Sequence, residues 1–377
     1  MKIFRNADVI TGLEDLEPLH TFPQFPVFMG CTSAGQDTDI LADMCFQISP
    51  GSGMIQLNPL LPLEVLYPEA HGAGAVGKLW EKHHQALSDF IAQFDPASVL
   101  EIGGGHGILA TNYQNNKSIP WTILEPNPTP IPACKARIIK GFFDGSFKFD
   151  ETVEAIVHSH VFEHIYDPDA FVTQLADFLV EGKKLFFSIP NMQVMMKRKY
   201  TNCLNFEHTV FLSEPYVDYL LARHGFRILE KEYFQEDHSI FYAAVRDRHV
   251  PPVQLEETLY AIHKQLFTSY VAYHQELVTD INRQLASNPE GAFLFGAHVF
   301  AQYLIAFGLD TRRIVSILDN DPNKQGKRLY CTDLMVQSPK ILKNLASSKV
   351  VLKAGVYNEE IKADILSSIN ETVIFIE

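Results

Sequence analysis

The chain has 377 residues, of which 46% are hydrophobic and 20% charged, and its formal net charge is −14 at pH 7. This length predicts two or three domains with sizeable cores, and the composition excludes a disordered chain. The acidic balance argues against nucleic acid or an anionic membrane as a partner, because both attract basic surfaces. Five cysteines without C-x-x-C spacing fit a reducing compartment. We find no signal peptide or membrane span in the sequence, so we expect a cytoplasmic protein.

Residues 1–69 contain many prolines, short β-like runs and few helical patterns. We expect a small accessory domain there, and an unrelated N-terminal extension is the alternative. The stretch HGAGAVG, residues 71–77, predicts a flexible glycine loop near His71. An amphipathic helix should follow from Lys78 to Phe94. His83 and His84 lie on this helix, where a histidine is more often a surface or core residue than a catalytic one.

The stretch VLEIGGGHGIL, Val99–Leu109, predicts a buried strand, a glycine turn and a helix. Glycines leave no Cβ in the way where the backbone must approach a ligand closely. The free N–H groups at the start of the helix point at whatever lies over the turn. A second apolar strand, Trp121–Leu124, ends in Glu125, about 20 residues after the turn, as expected for a ribose-binding acid. These features together predict a site for a nucleoside cofactor.

Alternating strand and helix patterns continue to residue 247 and predict a doubly wound α/β sheet. Ligands of such sheets lie at the carboxyl ends of the strands, so residues 158–164 should face the cofactor. The last two strands should form an antiparallel pair. The strands predicted after Glu125 are Arg137–Lys140, Val153–Phe162, Lys183–Asn191, Arg227–Gln235 and His238–Asp247.

Two motifs indicate which nucleoside is expected. The pattern E-x-G-x-G-x-G at Glu101–Gly107 resembles the first motif of class I S-adenosylmethionine-dependent methyltransferases, and HVFEHIYDP, His160–Pro168, resembles their V-L-E-H-x-x-D-P segment. The resemblance implies a Rossmann-like fold and S-adenosylmethionine as the cofactor. It also implies an aromatic ring on the adenine and a carboxylate that accepts the adenine amino group, although core packing is the alternative for Phe143. The alternative to a methyltransferase domain is any other doubly wound domain that has a glycine turn. The implied cofactor residues are Glu101, Gly103, Gly105, Gly107, Glu125, Phe143, Asp144 and His160.

The stretch NFEHTVFLS, Asn205–Ser213, resembles the Y-H-E-H-L-S-Y-F-S motif of the C-methyltransferases that act on nucleotide-linked deoxysugars. The resemblance places Glu207 and His208 on the E-H pair of that motif and Asn205 where the family has a tyrosine. The densest basic run of the chain, Lys197–Lys199, precedes this motif. A solvated loop is one interpretation of the run, and a site where Lys197 and Arg198 bind a substrate diphosphate is the other.

Two further stretches resemble the same family: GMIQLNPLLPLEVLY, Gly53–Tyr67, and LDNDPNKQGKRL, Leu318–Leu329. In that family the first domain binds zinc through four cysteines. Hydroxyl groups are poor zinc ligands, so we expect this accessory domain to lack the metal, and we predict no other metal site. The residues at the matching positions are Asp8, Thr11, Ser49 and Ser52.

The sequence predicts a helical connector with an apolar stripe at residues 248–288. It predicts a second, Rossmann-like α/β domain at residues 289–377. The resemblance implies that this second domain helps to hold a nucleotide-linked sugar. Its turn, Gly296–His298, lacks the further glycines of a dinucleotide site, so we expect no second cofactor. The cofactor domain is predicted at residues 70–247. The apolar stripe of the connector is Leu255, Leu259, Ile262, Leu266, Tyr270, Tyr273, Leu277 and Ile281.

The family resemblance implies methylation of a carbon next to a ketone of a nucleotide-linked keto-deoxysugar, through an enolate. His208 would be the base, Glu207 would orient it, and His164 would stabilise the enolate oxygen or bind a hydroxyl. A structural role is the alternative for His164. O-methylation of a sugar or related carbohydrate precursor is the second hypothesis, and a catalytically silent scaffold that binds the cofactor is the third.

Overall fold

We describe the fold from a computed structural model, in residues 2–66, 77–288 and 290–377. The predicted glycine loop around His71, and the predicted domain boundary at residues 69–70, lie outside these ranges. Within them, no helix is long and apolar enough to cross a bilayer.

The first 66 residues form a small antiparallel sheet in which β3 lies between β1 and β4. Phe25 and Phe46 are buried in its core. Two turns stand at the positions that match the zinc cysteines of the family. Asp8 accepts a hydrogen bond from the N–H of Ile10 at 2.9 Å, so hydrogen bonds within the turn engage this side chain. The elements are β1 (Glu17–Pro26), β2 (Cys31–Thr32), β3 (Leu41–Ile48), β4 (Ile55–Leu57) and α1 (Leu63–Leu66).

The central part contains the predicted glycine turn between a buried strand and a helix. Its strands are β5 (Val99–Ile102), β6 (Trp121–Glu125), β7 (Arg137–Lys140), β8 (Ala155–Ser159), β9 (Lys184–Pro190), β10 (Phe226–Phe234) and β11 (Ser239–Arg246). Its helices are α2 (Lys78–Ala92), α3 (Ile108–Asn116), α4 (Pro168–Phe178), α5 (Met192–Lys197), α6 (Glu214–Arg223) and α7 (Gln235–His238).

These strands form one sheet with the order β10-β11-β9-β8-β5-β6-β7. The strands from β5 to β9 are parallel, and β11 pairs antiparallel with both β9 and β10. One face packs on α2 and α3, and the other on α4 and α6. This is the Rossmann-like, doubly wound fold that the sequence predicts. The fourth strand ends at Ser159, earlier than predicted, because His160 has a φ of +51° and leaves the extended conformation.

The predicted connector is one long helix, α8 (Leu259–Ala286). The predicted apolar stripe is only partly right. Ile262 and Tyr273 lie on the exposed side, with 42% and 37% of their surface accessible, whereas His263 and His274 are fully buried. The buried face follows the 3.6-residue period through these two histidines, and a stripe chosen by hydrophobicity alone misses them.

The last part of the chain forms a parallel sheet with the order β15-β13-β12-β16-β17. A two-stranded ribbon of β2 and β14 joins this part to the N-terminal residues. The strands are β12 (Ala292–Phe295), β13 (Ile314–Leu318), β14 (Arg328–Leu329), β15 (Val336–Gln337), β16 (Lys349–Leu352) and β17 (Ile374–Ile376), and the helices are α9 (Val299–Ala306) and α10 (Asn358–Ser368).

Candidate functional site

A cavity of about 920 Å³ opens at the carboxyl ends of the parallel strands β5, β6 and β8. All three parts of the chain line it: Met29 lies before the central sheet in sequence, Gly103 belongs to the glycine turn, and His298 and Tyr357 belong to the C-terminal part. The predicted cofactor turn and the C-terminal α/β part therefore share one cavity.

The glycine turn exposes its backbone to this cavity. Gly103 and Gly105 have positive φ angles of +76° and +35°, and a Cβ on Gly105 would meet no atom within 4 Å. Gly107 differs from these two, because it is the left-handed cap of α3, and a Cβ there would come within 2.4 Å of the Cys134 Sγ. Gly107 therefore shapes the turn and does not itself line the described cavity.

Glu125 lies at the end of β6, beside the turn. One carboxylate oxygen accepts a hydrogen bond from the N–H of Gly105 at 3.2 Å, and the other accepts one from the N–H of Asn127 at 3.0 Å. The side chain lines the cavity, and a carboxylate oxygen can accept a second hydrogen bond. Two backbone N–H groups thus hold Glu125 in place, and its carboxylate oxygens can still accept hydrogen bonds from the two hydroxyls of a diol.

Glu101 lies beneath the turn and is almost completely buried. Its carboxylate accepts a hydrogen bond from the indole N–H of Trp121 at 2.7 Å. Burial raises the pKa of Glu101 to about 7, against the opposing effect of that hydrogen bond. A Cβ on Gly104 would lie 2.8 Å from the Glu101 carboxyl carbon, so the lack of a side chain at Gly104 is what admits this acid.

The predicted adenine site is only partly supported. Phe143 lines the cavity and also packs against Phe171 and Phe178 in the core, with ring centroids 6.1 and 5.7 Å apart. Asp144 is not among the residues that line the cavity. Its carboxylate accepts hydrogen bonds from the N–H and hydroxyl of Ser146, at 2.8 and 2.5 Å. Both bonds use only Oδ1, and the role of Asp144 at the adenine stays a prediction.

Glu163, His164 and His208 meet at the cavity wall, with potential ligand atoms within 4.8 Å of one another. The rings of His164 and His208 lie edge to face, 4.9 Å apart. Glu163 is fully buried, and its Oε2 has no hydrogen-bond partner in the described part of the chain. Burial raises the pKa of Glu163 and lowers that of His208. Sequence analysis missed Glu163, although it directly precedes His164 in the E-H pair.

The turn that carries Glu207 and His208 is held by Asn205. The Asn205 Oδ1 accepts hydrogen bonds from the N–H groups of both residues, at 2.8 and 2.9 Å. The Nδ1 of His208 lies 3.1 Å from the carbonyl oxygen of Cys203. A carbonyl can only accept, so this contact assigns the proton to Nδ1 and the lone pair to Nε2. Asn205 acts through the backbone here, although its side chain also borders the cavity.

Arg5 is a second positioning residue, and no motif in the sequence indicates it. It is buried, and its guanidinium donates to the carbonyl oxygens of Tyr166 at 2.6 Å and Thr209 at 3.1 Å. Tyr166 lies two residues after His164, and Thr209 directly follows His208. Arg5 therefore joins the two loops that carry the histidines.

His160 lies at the end of β8 and lines the cavity. Its Nδ1 is 3.0 Å from the Glu163 Oε1, and its Nε2 is 2.8 Å from the Ser239 hydroxyl. Burial lowers the pKa of His160 to about 3, so this imidazole is neutral at pH 7. Both ring nitrogens are engaged by protein groups, which leaves only the ring itself for contact with a cofactor.

Lys197 and Arg198 are not among the residues that border the cavity. Lys197 is exposed at the end of α5. Arg198 donates to Glu236 at 2.6 Å and to Asp237 at 2.5 Å, so two carboxylates already neutralise it. The hypothesis of a diphosphate site at these two residues is therefore corrected in favour of a surface ion-pair cluster. The neighbouring Met192 and Met196 are fully buried core residues.

Residues 77–231 match the family model of a methyltransferase domain. This part of the chain is similar to methyltransferase domains, and its sheet has the Rossmann-like fold of the class I enzymes. The match covers the glycine turn, Glu125 and both E-H pairs, and the cofactor of such a domain is S-adenosylmethionine. The cavity fits it, since bare turn backbone and an anchored carboxylate at the end of the second parallel strand suit a ribose diol. A comparison with curated proteins found no match.

Solved methyltransferase structures are similar to the central part of the chain. One, an S-adenosylmethionine-dependent methyltransferase from Clostridium acetobutylicum, is 12% identical, with a TM-score of 0.35 over 44% of this chain and 92% of its own. Another, the magnesium protoporphyrin IX methyltransferase from Synechocystis PCC 6803, solved with bound SAH, is 14% identical, with a TM-score of 0.37 over 47% of this chain and 90% of its own.

Proposed function

We propose that this methyltransferase transfers a methyl group to a carbon next to the ketone of a nucleotide-linked keto-deoxysugar. The observation that carries the proposal is the group Glu163, His164 and His208 on the wall of the cavity that also contains the glycine turn. Carbon methylation requires a base for the proton beside the ketone and a donor for the enolate oxygen. Two neighbouring imidazoles can supply both functions, one as the base and the other as the hydrogen-bond donor.

His208 is the proposed base. Its Nδ1–H donates to the Cys203 carbonyl, which leaves the lone pair of Nε2 to take the proton. Burial lowers the pKa of His208, so the imidazole is neutral and competent as a base at pH 7. Glu207 lies on the same turn and borders the cavity, and by the family resemblance it would orient His208.

His164 and Glu163 complete the proposed acid–base group. His164 donates to the enolate oxygen, and the adjacent Glu163 carboxyl stabilises positive charge on either imidazole. The bound S-adenosylmethionine supplies an electrophilic methyl group on a sulfonium. The protein must hold the acceptor carbon in line with that methyl group, and a cavity enclosed by all three parts of the chain favours such alignment.

Sequence resemblance and one feature of the cavity support a nucleotide-linked sugar as the methyl acceptor. The C-terminal residues that resemble the sugar C-methyltransferases belong to the same α/β part that places His298, Phe300 and Tyr357 on the cavity wall. We infer that this part contacts the substrate, in the way that the resemblance implies for the nucleotide-linked sugar.

Isotope exchange tests the proposal directly. The protein and S-adenosylhomocysteine would be incubated in deuterated water with a panel of nucleotide-linked keto-deoxysugars. We expect deuterium to enter the position next to the ketone, and His208→Asn to slow this exchange by roughly 100-fold or more. His224→Asn is the matched control, because His224 binds Asp169 at 2.7 Å and is not among the cavity-lining residues. Exchange that persists in His208→Asn would reject His208 as the base.

O-methylation of a sugar is the second candidate, and Asn205 favours it. The sugar C-methyltransferases have a tyrosine at the matching position. In this chain the position is Asn205, and its side chain accepts hydrogen bonds from the backbone of the turn. His208 would then deprotonate a hydroxyl. Methyl transfer to a sugar hydroxyl without deuterium exchange would identify this reaction. Tight cofactor binding without turnover on any nucleotide-linked sugar would instead support a silent scaffold.

A further inference from the structure

We propose that His83, His160 and His238 bind a divalent transition-metal ion at the edge of the cavity. His83 lies on α2, His160 directly follows β8, and His238 is the last residue of the short helix α7 between β10 and β11. They offer ring nitrogens that all lie within 4.8 Å of one another. This proposal does not depend on the identity of the methyl acceptor, and it shares only Glu163 with the acid–base group argued above.

The spacing of the three imidazoles fits a shared ion. Their ring centroids are 5.2 Å apart for His83 and His160, 5.3 Å for His83 and His238, and 5.9 Å for His160 and His238. A tetrahedral ion at about 2.0–2.1 Å from each nitrogen places the ring centroids roughly 5 Å apart. Small side-chain adjustments therefore bring all three nitrogens to bonding distance.

His83 supplies an independent sign that a ligand belongs here. Its side chain is fully buried, and neither ring nitrogen has a hydrogen-bond partner among residues 2–66, 77–288 and 290–377. A buried imidazole normally satisfies at least its N–H group, because an unsatisfied buried donor costs about 1–3 kcal/mol. A metal ion would take one nitrogen of His83 as a ligand and account for its placement.

A tryptophan ring covers one side of the three histidines. The indole of Trp80 packs edge-on against all three rings, with centroids 4.9–5.2 Å away. The site is thus shielded on one side, while His160 and His238 border the cavity on the other.

Glu163 supplies the outer support that histidine ligands usually have. Its Oε1 lies 3.0 Å from the Nδ1 of His160. In the Nδ1–H tautomer this ring donates to the carboxylate, and the lone pair of Nε2 is the potential ligand. Metal-bound histidines commonly donate their other N–H to a carboxylate in this way. The Ser239 hydroxyl stands 2.8 Å from the Nε2 of His160 and 2.6 Å from the Nδ1 of His238, and the ion would replace these two hydrogen bonds.

Three imidazoles select a particular class of ion. Imidazole nitrogen suits Zn²⁺, Co²⁺, Ni²⁺ and Cu²⁺, whereas Mg²⁺ and Ca²⁺ prefer oxygen. Three protein ligands leave a coordination position for water or for a group in the cavity, as in catalytic zinc sites. We therefore expect Zn²⁺ and Co²⁺ to bind and Mg²⁺ not to compete.

Metal titration of the full chain, stripped with a chelator and free of any histidine tag, tests this site. We expect one equivalent of Zn²⁺ to bind with a Kd below about 10 µM, and Co²⁺ to give the absorption of a tetrahedral complex. His83→Asn should weaken Zn²⁺ binding by roughly 100-fold. His84→Asn is the matched control on the same helix and the same Trp80 ring, and should leave the affinity unchanged.

Two further measurements keep the test decisive if His83→Asn folds poorly. Zinc X-ray absorption on the unaltered protein should report three imidazole ligands. Ser239→Ala removes the hydroxyl that competes for His160 and His238, and should bind Zn²⁺ at least as tightly as the unaltered protein. The absence of stoichiometric binding would overturn the proposal. Binding that is lost in His208→Asn and kept in His83→Asn would also overturn it, because the ion would then occupy the Glu163, His164 and His208 group.

Discussion

At the scale of single residues, Glu125 is the side chain on which the cofactor site depends most. Replacing Glu125 with alanine removes a charged acceptor, and one hydrogen bond to a charged group contributes about 1.5–3 kcal/mol. We expect Glu125→Ala to weaken S-adenosylmethionine binding by roughly 10- to 100-fold in calorimetric titration. Glu151→Ala is the control, because the Glu151 carboxylate accepts from Arg137 at 2.6 Å and Glu151 is not among the cavity-lining residues. Equal losses in both variants would contradict the assignment.

Glu101 makes the stability of the cofactor-free protein depend on pH. Its pKa is raised from the ordinary 4.5 to about 7, so the folded state holds a proton that the unfolded state releases. The stabilisation is complete below about pH 4.5 and is lost as pH rises through 7; it amounts to roughly 3 kcal/mol. Urea unfolding at several pH values should show this decline, and Glu101→Gln should flatten it. An unchanged pH profile in Glu101→Gln would contradict the shifted pKa.

Residues within local motifs could be predicted from the sequence, and residues joined only by the fold could not. The glycine turn and Glu125 follow from a strand, a turn and a fixed spacing. Arg5 and His83 meet their partners across large sequence separations, and no periodicity marks such contacts. The sequence also did not indicate the local turn in which Asp144 accepts hydrogen bonds from Ser146.

At the scale of elements, the segment that follows α5 depends on capping by side chains. Asn205 holds two N–H groups of the turn that carries His208, and the next residues pair with β4: the Phe211 N–H donates to the Ile55 carbonyl at 2.8 Å. The N-terminal sheet therefore fixes a turn of the active site. The sequence predicted a small accessory domain with short β-like runs and indicated Glu207 and His208 as site residues, but not that these two parts of the chain touch.

Asn205→Ala should misplace this turn without affecting the cofactor. The change removes the acceptor of two partly buried N–H groups, and each lost hydrogen bond costs about 0.5–1.5 kcal/mol. We expect a lower melting temperature and slower methyl transfer or isotope exchange, with S-adenosylmethionine affinity unchanged in calorimetry. Asn205→Asp keeps the acceptor oxygen and should recover most of the loss. No recovery in Asn205→Asp would show that the amide itself contacts the substrate.

At the scale of the whole molecule, the first and last parts of the chain are joined directly. Asp39 and Arg328 form a two-pronged ion pair with contacts of 2.7 and 2.8 Å, and their side chains are only 6% and 10% exposed. The Arg328 guanidinium also donates to the Ala34 carbonyl. The C-terminal wall of the cavity is thus attached to the N-terminal sheet as well as to α8.

Arg328→Met should therefore destabilise the protein, because it leaves the Asp39 carboxylate without its partner. We expect a loss of roughly 2–3 kcal/mol in the free energy of unfolding, measured in urea. Arg312→Met is the control, since Arg312 pairs with Asp310 but is 87% exposed, and such surface pairs contribute little. The double variant Asp39→Asn/Arg328→Met should lose less than the sum of the single changes.

The ribbon of β2 and β14 would hold the C-terminal part in place even if the chain were cut between β11 and α8. Residues 248–257 run largely exposed between β11 and α8, and they are the direct link between the central sheet and the C-terminal part. The ribbon and the Asp39–Arg328 pair form a second link that does not use this segment. A protease cut there would give two bands on a denaturing gel and one peak on gel filtration. The two fragments, produced separately, would then associate and form the same cavity. New chain ends could also be introduced within residues 248–257.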